Sequence, residues 1–77
     1  MIEGVIHVLD VGEGNFMVVF TSLEAPGRHL VSSVGAAHHF ISSTLSCDLK
    51  LEDTDSLRTK GIKVRISTDH YRDHFSK

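Results

Sequence analysis

The chain contains no tryptophan, one cysteine and one proline among its 77 residues. A single cysteine excludes an internal disulfide, and we expect Cys47 to be a buried, unreactive thiol because no histidine or arginine lies near it in sequence. No apolar run approaches the ~20 residues of a membrane span. The N-terminus also lacks the basic start and long apolar stretch of a signal peptide. These absences predict a cytoplasmic protein with no membrane partner.

The chain also lacks a large excess of charge of either sign, because it has eight Lys and Arg and ten Asp and Glu, a net charge of −2. The basic residues are scattered, which argues against a dedicated nucleic-acid binder and leaves nucleic acid only as a substrate. A hydrophobic content of 40% is that of an ordinary globular protein. We expect one small domain over residues 1–77, or the N-terminal fragment of a larger hydrolase domain. Domains of this size usually need a metal or a partner for stability.

Strand-forming residues dominate the first half of the chain. Two apolar runs, residues 5–9 and 16–21, flank a loop that contains Gly12 and Gly14, which predicts a β-hairpin. Neither run alternates with polar residues, so both faces of this sheet should be buried under further layers. Pro26 and Gly27 predict a turn, and residues 30–34 predict a third antiparallel strand.

The second half predicts short helices and a last strand. Residues 36–41 favour a helix start that the following serines weaken, and Cys47, Leu49 and Leu51 alternate with polar residues like a short strand. A helix is predicted from the N-cap candidates at 53–55 to Arg58, with Gly61 as its C-cap. Residues 62–66 alternate as a half-buried strand that leads into a polar loop. The fold class is therefore α+β, with mainly antiparallel strands and one or two short helices.

That polar loop contains a cluster of potential metal ligands, namely Asp69, His70, Asp73 and His74. Carboxylate and imidazole groups together suit zinc or manganese. The alternative is a solvated loop in which Asp73 caps the turn and the histidines are free. Arg72 would oppose a cation there, or could clamp a phosphate or carboxylate of a substrate.

The glycine loop after the first strand also leaves two interpretations open. Gly12 and Gly14 suit a tight hairpin, but they would also allow a ligand to approach the backbone closely. Asp10 ends an apolar strand, where an acid is costly unless it is paired, hydrogen-bonded or near a cation.

Three segments, taken in order, resemble one family. Residues 9–15 read Leu-Asp-Val-Gly-Glu-Gly-Asn, residues 57–62 read Leu-Arg-Thr-Lys-Gly-Ile, and residues 68–74 read Thr-Asp-His-Tyr-Arg-Asp-His. They resemble the N-terminal part of the metallo-β-lactamase fold, in the branch of hydrolase domains attached to bacterial DNA-uptake (competence) channels. The resemblance covers nearly the whole chain and implies the first half-sheet of that fold.

The resemblance also implies a chemistry, which is metal-assisted hydrolysis of a phosphodiester, nucleotide or ester. Asp73 would be the acid that binds metal and handles the proton, and His74 a nitrogen ligand. Asp69 and Tyr71 stand where the family has its two leading histidines, so Asp69 would replace one of them. His70 would join only if the loop changes register. The later ligands of the family would lie beyond Lys77.

Two functions follow from the sequence. In the first, the chain is a metal-dependent hydrolase that is incomplete or degenerate, and whether it is an enzyme stays open. In the second, it is a small non-catalytic interaction module that self-associates through its sheet or pairs with a complementing chain.

Overall fold

A computed structural model describes residues 1–23, 26–50 and 52–75. Its centre is a four-stranded antiparallel sheet with the strand order β3-β2-β1-β4. The strands are β1 (Ile2–Gly12), β2 (Asn15–Thr21), β3 (Gly27–Val31) and β4 (Ile62–Ile66).

Three short helices accompany the sheet in the described part of the chain, where one or two were predicted, and the α+β class is confirmed. They are α1 (Val34–His39), which continues into a π-helical turn (Phe40–Thr44), α2 (Asp53–Thr59) and α3 (Thr68–His74).

The predicted hairpin between β1 and β2 is confirmed. The pairing shifts between Asp10 and Gly12, and Gly12, Glu13 and Gly14 all have positive φ, a conformation that glycine adopts without steric cost. Oδ1 of Asp10 accepts a hydrogen bond from the Gly12 backbone N–H at 2.9 Å. The tight turn therefore accounts for both glycines and for the acid that precedes them.

The hydrophobic core lies on one face of the sheet, which we call the closed face. Its fully buried strand residues include Ile6, Val18 and Phe20, and the helices add Ala37 and Leu57 to the same cluster. Because side chains alternate along a strand, the residues between them point to the opposite face. Within the part of the chain that the structure describes, no helix residue packs on that opposite face, where Leu9 and Leu30 are 40% and 59% exposed; the expected burial of both faces is corrected for these residues.

Two strand predictions are corrected. The third strand is β3, which ends at Val31; Val34 begins α1 instead, because the Ser33 hydroxyl accepts a hydrogen bond from the Ala36 N–H and caps the helix. Residues 47–50 form no strand, and Leu51 lies outside the described residues.

The predicted end of the second helix is confirmed. Gly61 follows α2 with a φ of 82°, and its N–H donates to the Ser56 carbonyl oxygen at 2.7 Å, as expected for a glycine that ends a helix. At the start of α2, the Asp53 carboxylate accepts from the Lys50 N–H. β4 then alternates as predicted, with Lys63 and Arg65 exposed.

Candidate functional site

The predicted polar loop at residues 67–74 is wrong, because this segment is helix α3. The hydroxyl of Ser67 accepts a hydrogen bond from the His70 N–H at 3.0 Å and caps the helix. Asp69 lies in the first turn and Arg72 in the last, where their charges suit the helix dipole. The cap is therefore Ser67, and Asp73 does not have the turn-capping role that the alternative interpretation gave it.

Two aromatic residues hold α3 against the closed face. Phe75 contacts Phe20 with ring centroids 5.7 Å apart, and the Tyr71 hydroxyl donates to the Pro26 carbonyl oxygen at 3.0 Å. Gly27 lies so close to Phe75 that an added Cβ would overlap the Phe75 Cβ. These contacts fix which side of α3 faces the sheet.

The two predicted histidine ligands lie on one side of α3. His70 and His74 are one helical turn apart, and their ring centroids are separated by 6.3 Å. The His74 ring meets Phe40 edge-on, and the His74 carbonyl oxygen accepts from Nδ1 of His29 at 3.1 Å. His29 in turn stacks on Phe40 at 4.0 Å. The His74 ring therefore already has a packing role.

The predicted carboxylate ligands, by contrast, are exposed. Asp69 pairs with Arg72 at 3.2 Å, and Asp73 is exposed. A solvent-exposed pair of this kind contributes little stability, about 0–1 kcal/mol. The pair nevertheless occupies the Asp69 carboxylate, which would replace a family histidine, and the Arg72 guanidinium, which was expected to hold a substrate.

This arrangement does not fit a metal ion. Within residues 1–23, 26–50 and 52–75, no three His, Cys, Asp or Glu side chains are grouped so that they could hold one. Zinc sites in proteins use three or four protein ligands, whereas only two imidazoles come together here. The metal assignment of Asp69, His70, Asp73 and His74 stays a prediction, and we derive no catalytic step from it.

The glycine loop and the C-terminal cluster, two of the segments that carry the resemblance, lie at opposite ends of the sheet. β4 runs antiparallel to β1, and its last residue, Ile66, pairs with Ile2. Asp10 lies eight residues further along β1, about 26 Å away at the rise of an extended strand. The glycine loop therefore does not contribute to the cluster on α3.

A second candidate site is the uncovered face of the sheet. The strand registers align Leu9 with Met17, and Met17 with Leu30, across three strands. Val5, His7 and Val19 lie on the same side by alternation. We call the surface formed by Val5, His7, Leu9, Met17, Val19 and Leu30 the open face. Leu9 is 40% exposed and Leu30 is 59% exposed.

Charged residues border the open face at two corners. Glu3 pairs with Arg65 across β1 and β4, with 3.5 Å between Oε2 and Nε, and Lys63 lies beside Val5. Arg28 lies beside Val19 at the β3 edge. The open face is therefore aliphatic at its centre and mainly basic at its border.

His7 lies in the middle of the open face. It stands directly across from Val19. Its Nε2 atom is buried and has no hydrogen-bond partner among the described residues. The open face thus contains one polar atom that the described residues do not satisfy.

The buried thiol agrees with expectation. Cys47 is 7% exposed, and burial raises its pKa because desolvation disfavours the thiolate. The residue is a small hydrophobic part of the core.

Comparison of the chain with protein-family models, with curated proteins and with solved structures gives no match. The resemblance to metallo-β-lactamase-fold hydrolases therefore stays a prediction. Among the helices of the described part of the chain, none has the length and apolar character needed to cross a membrane.

Proposed function

We propose that this chain is a protein-interaction module that docks another protein chain on its open face. The observation that carries the proposal is the contrast between the two sides of one sheet. The closed face is covered by α1, α2 and α3, whereas on the open face Leu9 is 40% and Leu30 59% exposed. Contiguous exposed apolar surface of this kind marks interaction sites in soluble proteins.

The energetics favour a cover for this surface. Complete burial of one large aliphatic side chain contributes about 1.5–3 kcal/mol. The open face offers five aliphatic or Met side chains in contiguous register, namely Val5, Leu9, Met17, Val19 and Leu30. A chain of this size buries a small core by itself, so a docked partner would add a substantial fraction to its stability.

The hydrolase function has weaker support. Its predicted ligands supply two neighbouring imidazoles on α3 and an Asp69 that is paired with Arg72. A working site would need further ligands from another chain or segment. Elemental analysis of purified protein for zinc and manganese tests this directly, and we expect less than stoichiometric metal. Stoichiometric metal that is lost in His74→Ala would reinstate the hydrolase.

A photo-crosslinking amino acid placed at position 30 tests the docking function. We expect covalent adducts with protein when cells that express this variant are irradiated, because Leu30 is at the exposed border of the open face. The same amino acid at position 69, on the exposed side of α3, is the matched control and should give few adducts. Equal yields at the two positions, or none at either, would contradict the proposal.

A double substitution, Leu9→Glu with Leu30→Glu, provides the second arm. Both side chains are already partly in solvent, so the fold should persist, which circular dichroism verifies. Adducts from a crosslinker at position 17 should then disappear. Sedimentation of the wild-type chain over a range of concentrations distinguishes a second copy from a different chain as the occupant.

A further inference from the structure

We propose that the occupant of the open face is an acidic protein segment with an apolar side, and not a second copy of this chain. This inference rests on the proposed docking function and adds the chemistry of the partner. Its basis is the distribution of charge around the open face.

The border of the open face is basic although the chain as a whole is acidic. Among the described residues it contains three cations and one acid, namely Arg28, Lys63, Arg65 and Glu3, a local net charge of +2. The other described residues include four basic and eight acidic ones, a net charge of −4. The border of the open face is therefore opposite in sign to the other described residues.

Two of these cations form no ion pair with an acid among the described residues. Glu3 is held by Arg65, whereas Lys63 and Arg28 have no such partner there. They lie beside Val5 and Val19, on different strands of the sheet. A partner that docks on the open face would thus place its own charges next to Lys63 and Arg28, and complementary charges at these positions favour an acidic partner.

In a dimer of this chain docked face to face, the basic border of one copy would lie opposite the basic border of the other. Such a dimer would bring six cations and two acids to one interface, and like charges opposite each other disfavour a pairing. A nucleic acid fits less well, because the open face is aliphatic apart from His7 and, among its described residues, provides no Phe, Tyr or Trp ring for base stacking. An acidic protein segment satisfies both the aliphatic centre and the basic border.

The geometry indicates how that segment would lie. The open face is the surface of a sheet and not its edge, so the contact is made by side chains, and a helix with one apolar stripe is the usual cover for such a surface. Glutamate or aspartate beside the stripe would reach Lys63 at one corner and Arg28 at the other.

Two synthetic amphipathic peptides test the proposal. Both have the same leucine positions over about 18 residues, or five helical turns, and they carry glutamate or lysine on the remaining positions. Fluorescence anisotropy of the labelled peptides with the full chain should show binding of the acidic peptide and weaker or no binding of the basic one. Chemical shift changes in the chain should map to the open face.

Charge reversal sharpens the test. The variant Arg28→Glu with Lys63→Glu should weaken the acidic peptide about tenfold, which corresponds to about 1.4 kcal/mol, and should improve binding of the basic peptide. The control is Lys50→Glu with Arg72→Glu, which changes the net charge equally at exposed positions outside the open face and should have little effect.

The other outcomes separate this proposal from the docking function. Equal binding of both peptides, lost in Leu9→Glu with Leu30→Glu, would overturn the acidic partner and leave docking intact. Self-association that the same double variant abolishes would overturn it in favour of a second copy. Binding of phosphatidylserine vesicles in place of the acidic peptide would overturn it in favour of a membrane surface. No binding and no self-association would count against both proposals.

Discussion

The two faces of the sheet are built from the same strands yet differ in the kind of apolar residue they present. The closed face presents the two strand phenylalanines, Phe16 and Phe20, and Phe40 and Phe75 from the helical segments belong to the same cluster. The open face is aliphatic apart from His7. Aromatic rings bury the largest areas, and in this chain the helices cover the face that carries the strand rings.

Among the substitutions that test this comparison of the two faces, Phe20→Ala should lower the stability of the chain the most. Phe20 is completely buried and contacts the rings of Phe75 and Tyr71. Its truncation should lower the free energy of unfolding by about 3–5 kcal/mol, which urea denaturation followed by circular dichroism measures. Leu30→Ala is the matched control on the open face and should change stability by less than about 0.5 kcal/mol.

Phe20→Leu provides a milder variant in case Phe20→Ala does not fold. Because Leu30 is 59% exposed, equal losses of stability for Leu30→Ala and Phe20→Ala would contradict the assignment of the two faces.

Gly27→Ala should have the next largest effect. A Cβ at Gly27 would overlap Phe75, and overpacking of this kind costs about 1–3 kcal/mol. Gly35→Ala is the control, because its Cβ would meet only the Ser33 hydroxyl at 3.8 Å and alanine is the better helix former by about 0.8–1 kcal/mol. Thermal unfolding should therefore shift in opposite directions for the two variants.

Ser67→Ala should have a moderate effect. It removes the hydroxyl that accepts from the His70 N–H, and loss of an N-cap typically costs about 1 kcal/mol. Ser67→Asp keeps an acceptor at the cap and should restore most of the loss. If the alanine variant were as stable as the wild type, α3 would not depend on this cap, and hydrogen exchange at His70 would show the reason.

The smallest expected effect is an alkaline pH dependence from Cys47. Burial raises the pKa of this thiol in the folded state, so the unfolded chain loses its proton first as the pH rises. The stabilisation is complete below the ordinary thiol pKa of about 8.5 and is lost as the pH rises towards the folded value. Urea midpoints at increasing pH should fall more steeply for the wild type than for Cys47→Ala. Equal slopes would show that other groups cause the decline.

Local patterns predicted much of the fold. The hairpin, the end of α2 at Gly61 and the alternating strand β4 all follow from glycine positions and from the side-chain period. The boundary between β3 and α1 could not be predicted in this way, because Val34 is a strand former. The contact that places Val34 in the helix is the hydrogen bond from the Ala36 N–H to the Ser33 hydroxyl. The apolar runs without alternation predict burial on both faces of the sheet. Only the packing of the helices shows that, among the described residues, one face alone is covered.

The conformation of the C-terminal segment was predicted wrongly, as a loop in place of helix α3, because its residues suit both a ligand loop and a helix. Ser67 and Asp69 are favourable residues at a helix start, but the same polar residues also suit a metal loop. Tyr71 and Phe75 decide the matter through their contacts with Phe20, and such long-range packing is not visible in a local pattern.

The pairing of Ile2 with Ile66 has a consequence for the order in which the molecule folds. The β1–β2–β3 meander joins neighbours in sequence, but β4 can find β1 only by closing a loop of about sixty residues, which costs more entropy. Non-local pairing of this kind slows folding. We expect Ile66→Val to accelerate unfolding while it hardly changes the folding rate, and Val18→Ala to slow folding. During synthesis, the meander would therefore wait, with its aromatic side uncovered, until the last strand and α3 arrive.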